Sequence, residues 1–195
     1  MKGLFIFPVL LIVLFGTPVF ADWQKGRDAY KSGDYATALK EWEPLAEQGN
    51  ADAQAMLGAM YIVGQGVTQD YKVGFQWSKL AAEQGSAGAQ GVLGALYVNG
   101  QGVTADHKAA YEWFKKAAEQ GFAEAQSALS YMYAGGFGVS QDYNRAHMWR
   151  EIAASQGYED AATKRDKVQE NMTPYQIEKV RELARDCVAK NYKGC

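Results

Sequence analysis

Few side chains in this chain are suited to chemistry, and most lie far apart. Its only two cysteines, Cys187 and Cys195, are separated by eight residues near the C-terminus. Catalytic thiols usually come as Cys-x-x-Cys and a zinc site needs about four ligands, so the spacing favours neither. An even, close pair in an oxidising compartment reads as a disulfide, with Gly194 letting the tail fold back. The N-terminus points to such a compartment. Lys2, the apolar run 4–15 and the segment 17–21, with Val19 and Ala21 at −3 and −1, form an expected signal peptide over 1–21, cut after Ala21. The apolar run falls short of the roughly 20 residues of a bilayer span, and no cysteine follows it to accept a lipid. The processed chain would carry 19 positive and 22 negative residues, a net of −3, and would not associate with a membrane.

Other routes to catalysis find no constellation. His107 and His147 have no Ser-Asp or Cys partner in a recognisable arrangement, and the acids are dispersed over helix caps and solvated faces. Loops of the form Gly-x-Gly-Val lack the Lys-Ser or Lys-Thr of a phosphate cradle, and no strand precedes them. With 22% charged residues and formal net charge −2 there is no basic stripe for nucleic acid. The expectation is a non-enzymatic chain with no catalytic residue, cofactor or metal.

What positions the side chains is a repeat. Gly85–Gln120 reads GSAGAQGVLGALYVNGQGVTADHKAAYEWFKKAAEQ, and 49–84 and 121–156 carry the same pattern in a 36-residue period without slippage. Fixed-period self-similarity of this length marks a stacked array. In the central copy Ala89, Leu93, Leu96 and Tyr97 fall at i, i+4, i+7 and i+8, predicting one apolar helical face. Gly100 and Gly102 fit the loop that ends this helix. Asp70, Asp106 and Asp142 are placed to cap a second helix, which is expected to turn Ala110, Trp113, Ala117 and Ala118 inward. Small residues at Gly58/Gly94/Ser130 and Gly74/Ala110/Ala146 allow close helix axes, flanked by ladders of Trp77/Trp113/Trp149 and Tyr61/Tyr97/Tyr133. Gln54, Gln90 and Gln126 either line a binding face or make a hydrogen bond within each repeat; the pairing rule for buried polar groups favours the latter. His107 replaces Tyr71 and Tyr143, and His147 replaces Phe75 and Tyr111, so both read as packing residues.

The run AxAQxxLGxxY, the loop GxGVxxD and the segment WxxxAAEQG resemble Sel1-like repeats, relatives of tetratricopeptide repeats with a longer inter-helix loop. The copy 121–156 departs at Ser130 and at 154–156, where the other copies have Gly and Ala-Glu-Gln. The resemblance implies an all-α fold, an α-solenoid of antiparallel helix pairs in a right-handed superhelix, and a role in binding proteins or assembling complexes. It also favours a bacterial periplasmic location over secretion into the medium. Segment 22–48 reads as a shorter, diverged N-terminal capping repeat, with Trp42 one position later than the Trp ladder requires. Segment 157–195 reads as C-terminal capping helices with a disulfide-closed tail; Thr173-Pro174-Tyr175-Gln176 starts the last helix, whose apolar face should cover the open end of the stack.

Binding would use what does not repeat. The family's concave side corresponds to Ala55/Gly91/Ser127, Ala59/Ala95/Tyr131 and Ile62/Val98/Ala134, small positions among which Tyr131 is the largest departure. They could admit an extended peptide or partner helix anchored by Tyr131, or pack against the next helix. Phe137, where earlier loops have Gln65 and Gln101, is a further candidate. The sequence thus points to an exported scaffold or adaptor with a protein or peptide partner in the cell envelope; a monomeric chain is compatible with this. The alternative is a cell-wall enzyme or a binder of β-lactams or muropeptides, since some cysteine-rich relatives are associated with penicillin binding. Those carry a disulfide in each repeat, and 49–156 has no cysteine.

Overall fold

A computed structural model describes residues 21–195; the expected signal peptide, save Ala21, lies outside the described residues. Ten helices follow in order: α1 (Trp23–Ser32), α2 (Tyr35–Glu47), α3 (Ala51–Val63), α4 (Tyr71–Glu83), α5 (Ala87–Asn99), α6 (His107–Ala118), α7 (Ala123–Gly135), α8 (Tyr143–Ser155), α9 (Glu159–Gln169) and α10 (Pro174–Ala189). From α1 to α9 each helix packs on the one before it, which makes the chain an α-solenoid of helix pairs. No described helix is long and apolar enough to cross a membrane.

Each pair starts and stops by the same local chemistry. The Asp106 carboxylate accepts the N–H groups of Lys108 and Ala109, satisfying two of the donors that open α6. Asp70 and Asp142 act likewise at α4 and α8. Gly100, at φ 66°, ends α5 in the left-handed region. Small residues set the helix separation as expected: a Cβ on Gly94 would stand 2.6 Å from the Phe114 ring. Short helices of this kind are marginal alone, so burial against neighbours holds them.

The second-helix stripe sits differently from the sequence expectation. Phe114, not Trp113, joins Ala110, Ala117 and Ala118 in the core. The spacing 110, 114, 117 is i, i+4, i+7, which places Trp113 on the flank. There it packs against the core formed by Ala81, Ala82 and Leu93, with Lys116 Nζ 4.1 Å from its ring centre. This also accounts for Trp42. It belongs to the series Trp42, Ser78, Phe114, Arg150, spaced by 36 and directed at the small residues Gly26, Gly58 and Gly94 in its first three members.

At the C-terminal end Ala161 seats α9 on Ala153 and Ala154. The Thr173–Gln176 capping box opens α10 as predicted. This helix packs chiefly along α8, where Ala184 and Cys187 join the core around Trp149. It therefore covers a flank of the third repeat. Cys187 and Cys195 are joined by a disulfide with Cα atoms 5.6 Å apart. The bridge holds a tail in which Tyr192 packs against the same core. Glu151 links the three helices, facing Arg165 on α9 and Arg181 on α10, each at 3.9 Å.

Candidate functional site

The glutamine ladder is sealed into the frame. Gln90 Nε2 donates to the Ala82 carbonyl at 3.1 Å, while its Oε1 accepts from Gln120 Nε2 at 2.8 Å. Gln54 joins the Ala46 carbonyl and Gln84 in the same way, and Gln126 the Ala118 carbonyl and Gln156. One half of each arrangement is the expected bond within a repeat. The other reaches the preceding second helix, so the ladder stitches copies together. All three glutamines are buried and offer nothing to a ligand.

One surface that does open is a groove of about 440 Å³ between the second and third repeats. Ala95 and Val98 on α5, Phe114 on α6, Tyr131 and Met132 on α7, and Phe137 in the following loop contribute to its wall. Tyr131 is 46% exposed and Phe137 50%. The groove exists because several departures from the repeat fall together. In the first repeat Gln65 docks on the cap by polar contacts: Tyr30 Oη donates to its Oε1 at 2.7 Å, and its Nε2 donates to Tyr35 Oη at 3.2 Å. At the corresponding place in the third repeat Phe137 meets His107 with ring centres 5.6 Å apart. The Phe137 ring lies over Gly135, where a side chain would collide with it. A polar joint has thus become an apolar one, exposed on one side.

Of the residues proposed from sequence, Ala95, Val98, Tyr131 and Phe137 come together here. Gly91 and Ser127 do not: both are buried, and the Phe122 ring occupies the space a Cβ on Gly91 would need. These two positions face a neighbouring element rather than an open surface. Ala55 and Ile62 pack against the second repeat's core, and Ala134 against the third's. Ala59 is half-buried on α3, outside the groove. Sequence reasoning omitted His107, Phe114 and Met132 from the site. The available signal was pairwise: His107 and Phe137 leave the repeat pattern at two positions that touch.

Charged groups outside the groove's lining approach Tyr131. Lys164 Nζ lies 4.6 Å from the centre of the Tyr131 ring and 2.7 Å from Asp160 Oδ2. Asp160 holds the Lys164 ammonium above its usual range, helped by Tyr131. Arg150, the counterpart of Phe114, is 9% exposed, and burial pulls its pKa down while the nearby Tyr131 and Asp160 oppose that shift. Burial, then the Arg150 charge, also lowers His147. Tyr133, buried and hydrogen-bonded to Tyr111 at 2.9 Å, is pushed up to about 12, mainly by burial. Among the described residues no cluster of His, Cys, Asp and Glu could hold a metal. The groove's lining suits holding an apolar side chain.

Comparison with known proteins bears on what this scaffold is. A family model for the Sel1 repeat matches residues 51–86, 87–122 and 123–158, reproducing the 36-residue period. A crystal structure of a Sel1 repeat protein from Oxalobacter formigenes superposes with a TM-score of 0.70 and 35% identity, over 74% of this chain and 59% of that one. The structure of c5321, a protective antigen present in uropathogenic Escherichia coli strains and displaying an SLR fold, gives 0.59 and 25%, over 87% of this chain and 46% of that one. The chain therefore spans roughly half the length of these relatives. No curated protein matches it.

Proposed function

Since the chain belongs to the Sel1 repeat family, we propose that it is an exported, non-enzymatic adaptor that holds a protein partner in the cell envelope. The observation carrying this reading is the groove at Tyr131 and Phe137, where two half-exposed aromatics share an apolar wall. Rigid exposed aromatics beside a concavity are the usual anchors of protein recognition. Fully burying one large apolar side chain there would contribute roughly 1.5–3 kcal/mol. Export rests on the sequence of 1–21 and is consistent with the Cys187–Cys195 bridge, which an oxidising compartment would preserve.

Crosslinking in the intact envelope followed by purification tests the proposal. A stoichiometric protein should accompany the wild-type chain and be lost on Tyr131→Ala, with the fold retained. No such protein, or one indifferent to Tyr131→Ala, would defeat the reading. Labelling by a β-lactam or hydrolysis of muropeptides would support the enzymatic alternative instead. N-terminal sequencing of the exported chain should begin at Asp22; an intact Met1 would refute processing.

A further inference from the structure

Trp149 is sealed where its counterparts are not. It is 2% exposed, while Trp113 and Trp77, one and two periods earlier, are only half-buried. Among the described residues its Nε1 is the one completely buried side-chain nitrogen or oxygen without a hydrogen-bond partner. A buried indole N–H ordinarily has one. The cover comes from the C-terminal piece. Ala184 and Cys187 of α10 join the core around Trp149, and beyond the helix Tyr192 and Cys195 pack on that core too. Gly194 and Cys195 line a cavity of about 150 Å³ together with Leu129, Tyr133 and Trp149. With Arg145 they also line a second cavity, of about 350 Å³, shared by α8 and α10. The end of the tail is thus a partition between two spaces. The Tyr192 ring meanwhile rests on Gly121, 3.2 Å from where a Cβ would stand. Gly49, Gly85 and Gly157 hold the same repeat position and have no such neighbour among the described residues.

We propose that residues 190–195 form a redox-operated strap: a dithiol reductant opens the Cys187–Cys195 bridge, the tail lifts from Gly121 and Trp149, and the two cavities join in one cleft along α8. The strap is held down mainly by sulfur. Among the described residues, no hydrogen bond ties 190–195 to α6, α7 or α8; the tail's amides bond only to carbonyls of α10 and of the tail itself. Asn191 and Tyr192 lie at φ 51° and 63°, the left-handed region that L residues, bulky ones above all, disfavour. Once the bridge is open, that backbone cost and the unpartnered indole N–H both favour release, and water reaches Trp149 Nε1. Helix α10 stays, because Leu183 and Ala184 pack on the core through contacts of their own. The point of entry is Cys195, which is partly exposed while Cys187 is buried. A thiolate of the dithiol attacks Cys195 Sγ, the bond to Cys187 breaks, and Cys187 leaves as a thiolate that takes up a proton. The second thiolate of the dithiol then attacks its own partner sulfur in the mixed disulfide and releases Cys195, which is protonated in turn. The bridge gains two electrons and two protons, and the dithiol ends as a disulfide. The device is separate from the adaptor groove: Tyr133 lines the small cavity, whereas Tyr131 lies about 200° away around α7 and walls the groove.

The indole N–H signals of the nitrogen-15-labelled protein test this, with Trp149→Phe identifying the Trp149 peak. In the oxidised chain that proton should exchange slowly with water. After dithiothreitol, with both thiols titrated as free, the peak should shift and its exchange should quicken about tenfold or more. The peaks of Trp23, Trp42, Trp77 and Trp113 should stay in place, and removing the dithiol in air should restore the first spectrum. Cys195→Ser should show the open state with no reductant present. Should that variant fail to fold, the reduced wild type carries the test, and trypsin gives a second readout: cleavage after Lys190 and Lys193 should be faster in the reduced chain. An unmoved Trp149 peak in the fully reduced protein overturns the proposal, since the tail then stays seated without its bridge. A change in all the indole peaks together overturns it as well, since the bridge would then be supporting the whole stack.

Discussion

The joint at Gln65 and the joint at Phe137 occupy equivalent places, two repeats apart, and are built from the same backbone. In each, the second glycine of the loop presses against the start of the preceding unit's second helix. A Cβ on Gly66 would collide with Tyr35, and one on Gly138 with the His107 carbonyl. Only the side chains differ. Gln65 satisfies itself on two tyrosines, whereas Phe137 and His107 meet ring to ring beside a groove. The repeat therefore fixes where copies meet, and the departures decide what the meeting exposes. If so, damage to shared features should be felt as lost stability, and damage to the departures as lost binding.

The shared glycine should be least tolerant. Gly138 combines φ 69° with that backbone approach, so Gly138→Ala meets both a left-handed penalty and overpacking. We expect a loss of about 2–5 kcal/mol in urea unfolding. Gly88, inside α5 with nothing near its missing Cβ, is the control; Gly88→Ala should gain up to about 1 kcal/mol. Equal tolerance at the two sites would mean that the joint is not a fixed backbone contact.

Next comes the bridge that pins the last helix to the third repeat. Replacing Cys187 and Cys195 by serine should cost about 2–3 kcal/mol, the chain-entropy value for so short a loop. The same drop should appear when the wild type is unfolded with a reductant present. The effect should leave the Gln65 joint untouched, which amide exchange in α1–α3 against α8–α10 would show. Gln90→Ala, which removes two hydrogen bonds but leaves the Ala82 carbonyl and the Gln120 amide their contacts with Gly85, should cost about 1–3 kcal/mol at about 0.5–1.5 kcal/mol per bond. A negligible loss there would mean that water replaces the ladder without penalty.

The same division separates what the sequence disclosed from what it withheld. Period, caps and paired helices were legible because each copy repeats the same choice: Asp106 caps α6 as Asp70 caps α4, and Gly100 ends α5 as Gly64 ends α3. The groove was half legible. Tyr131 and Phe137 stood out as departures, yet nothing along the chain says that Phe137 meets His107, thirty residues earlier. The position of Phe114 was missed for a different reason. Conspicuous Trp113 drew the inward face one residue off, although the i, i+4, i+7 spacing already favoured Phe114. Gly91 and Ser127 misled because a small residue marks a concave surface and a tight contact equally well, and here Phe122 occupies the space beside Gly91.

The smallest stability change should accompany the most informative exchange, His107→Tyr with Phe137→Gln, which rebuilds the third-repeat joint in the image of the first. The exchanged pair can form the Gln–Tyr contact that Gln65 makes with Tyr35 at 3.2 Å. Both positions are solvent-exposed, so unfolding free energy should move by less than about 0.5 kcal/mol. Removing the Phe137 ring takes away one wall of the groove, and peptide or partner binding should fall at least tenfold. The single change Phe137→Gln should weaken binding to the same degree while leaving the glutamine facing an imidazole rather than a phenol. Unaltered binding by the double variant would show that the groove does not depend on this joint. A large loss of stability would show instead that the apolar joint helps hold the stack, and that the departures belong to the frame after all.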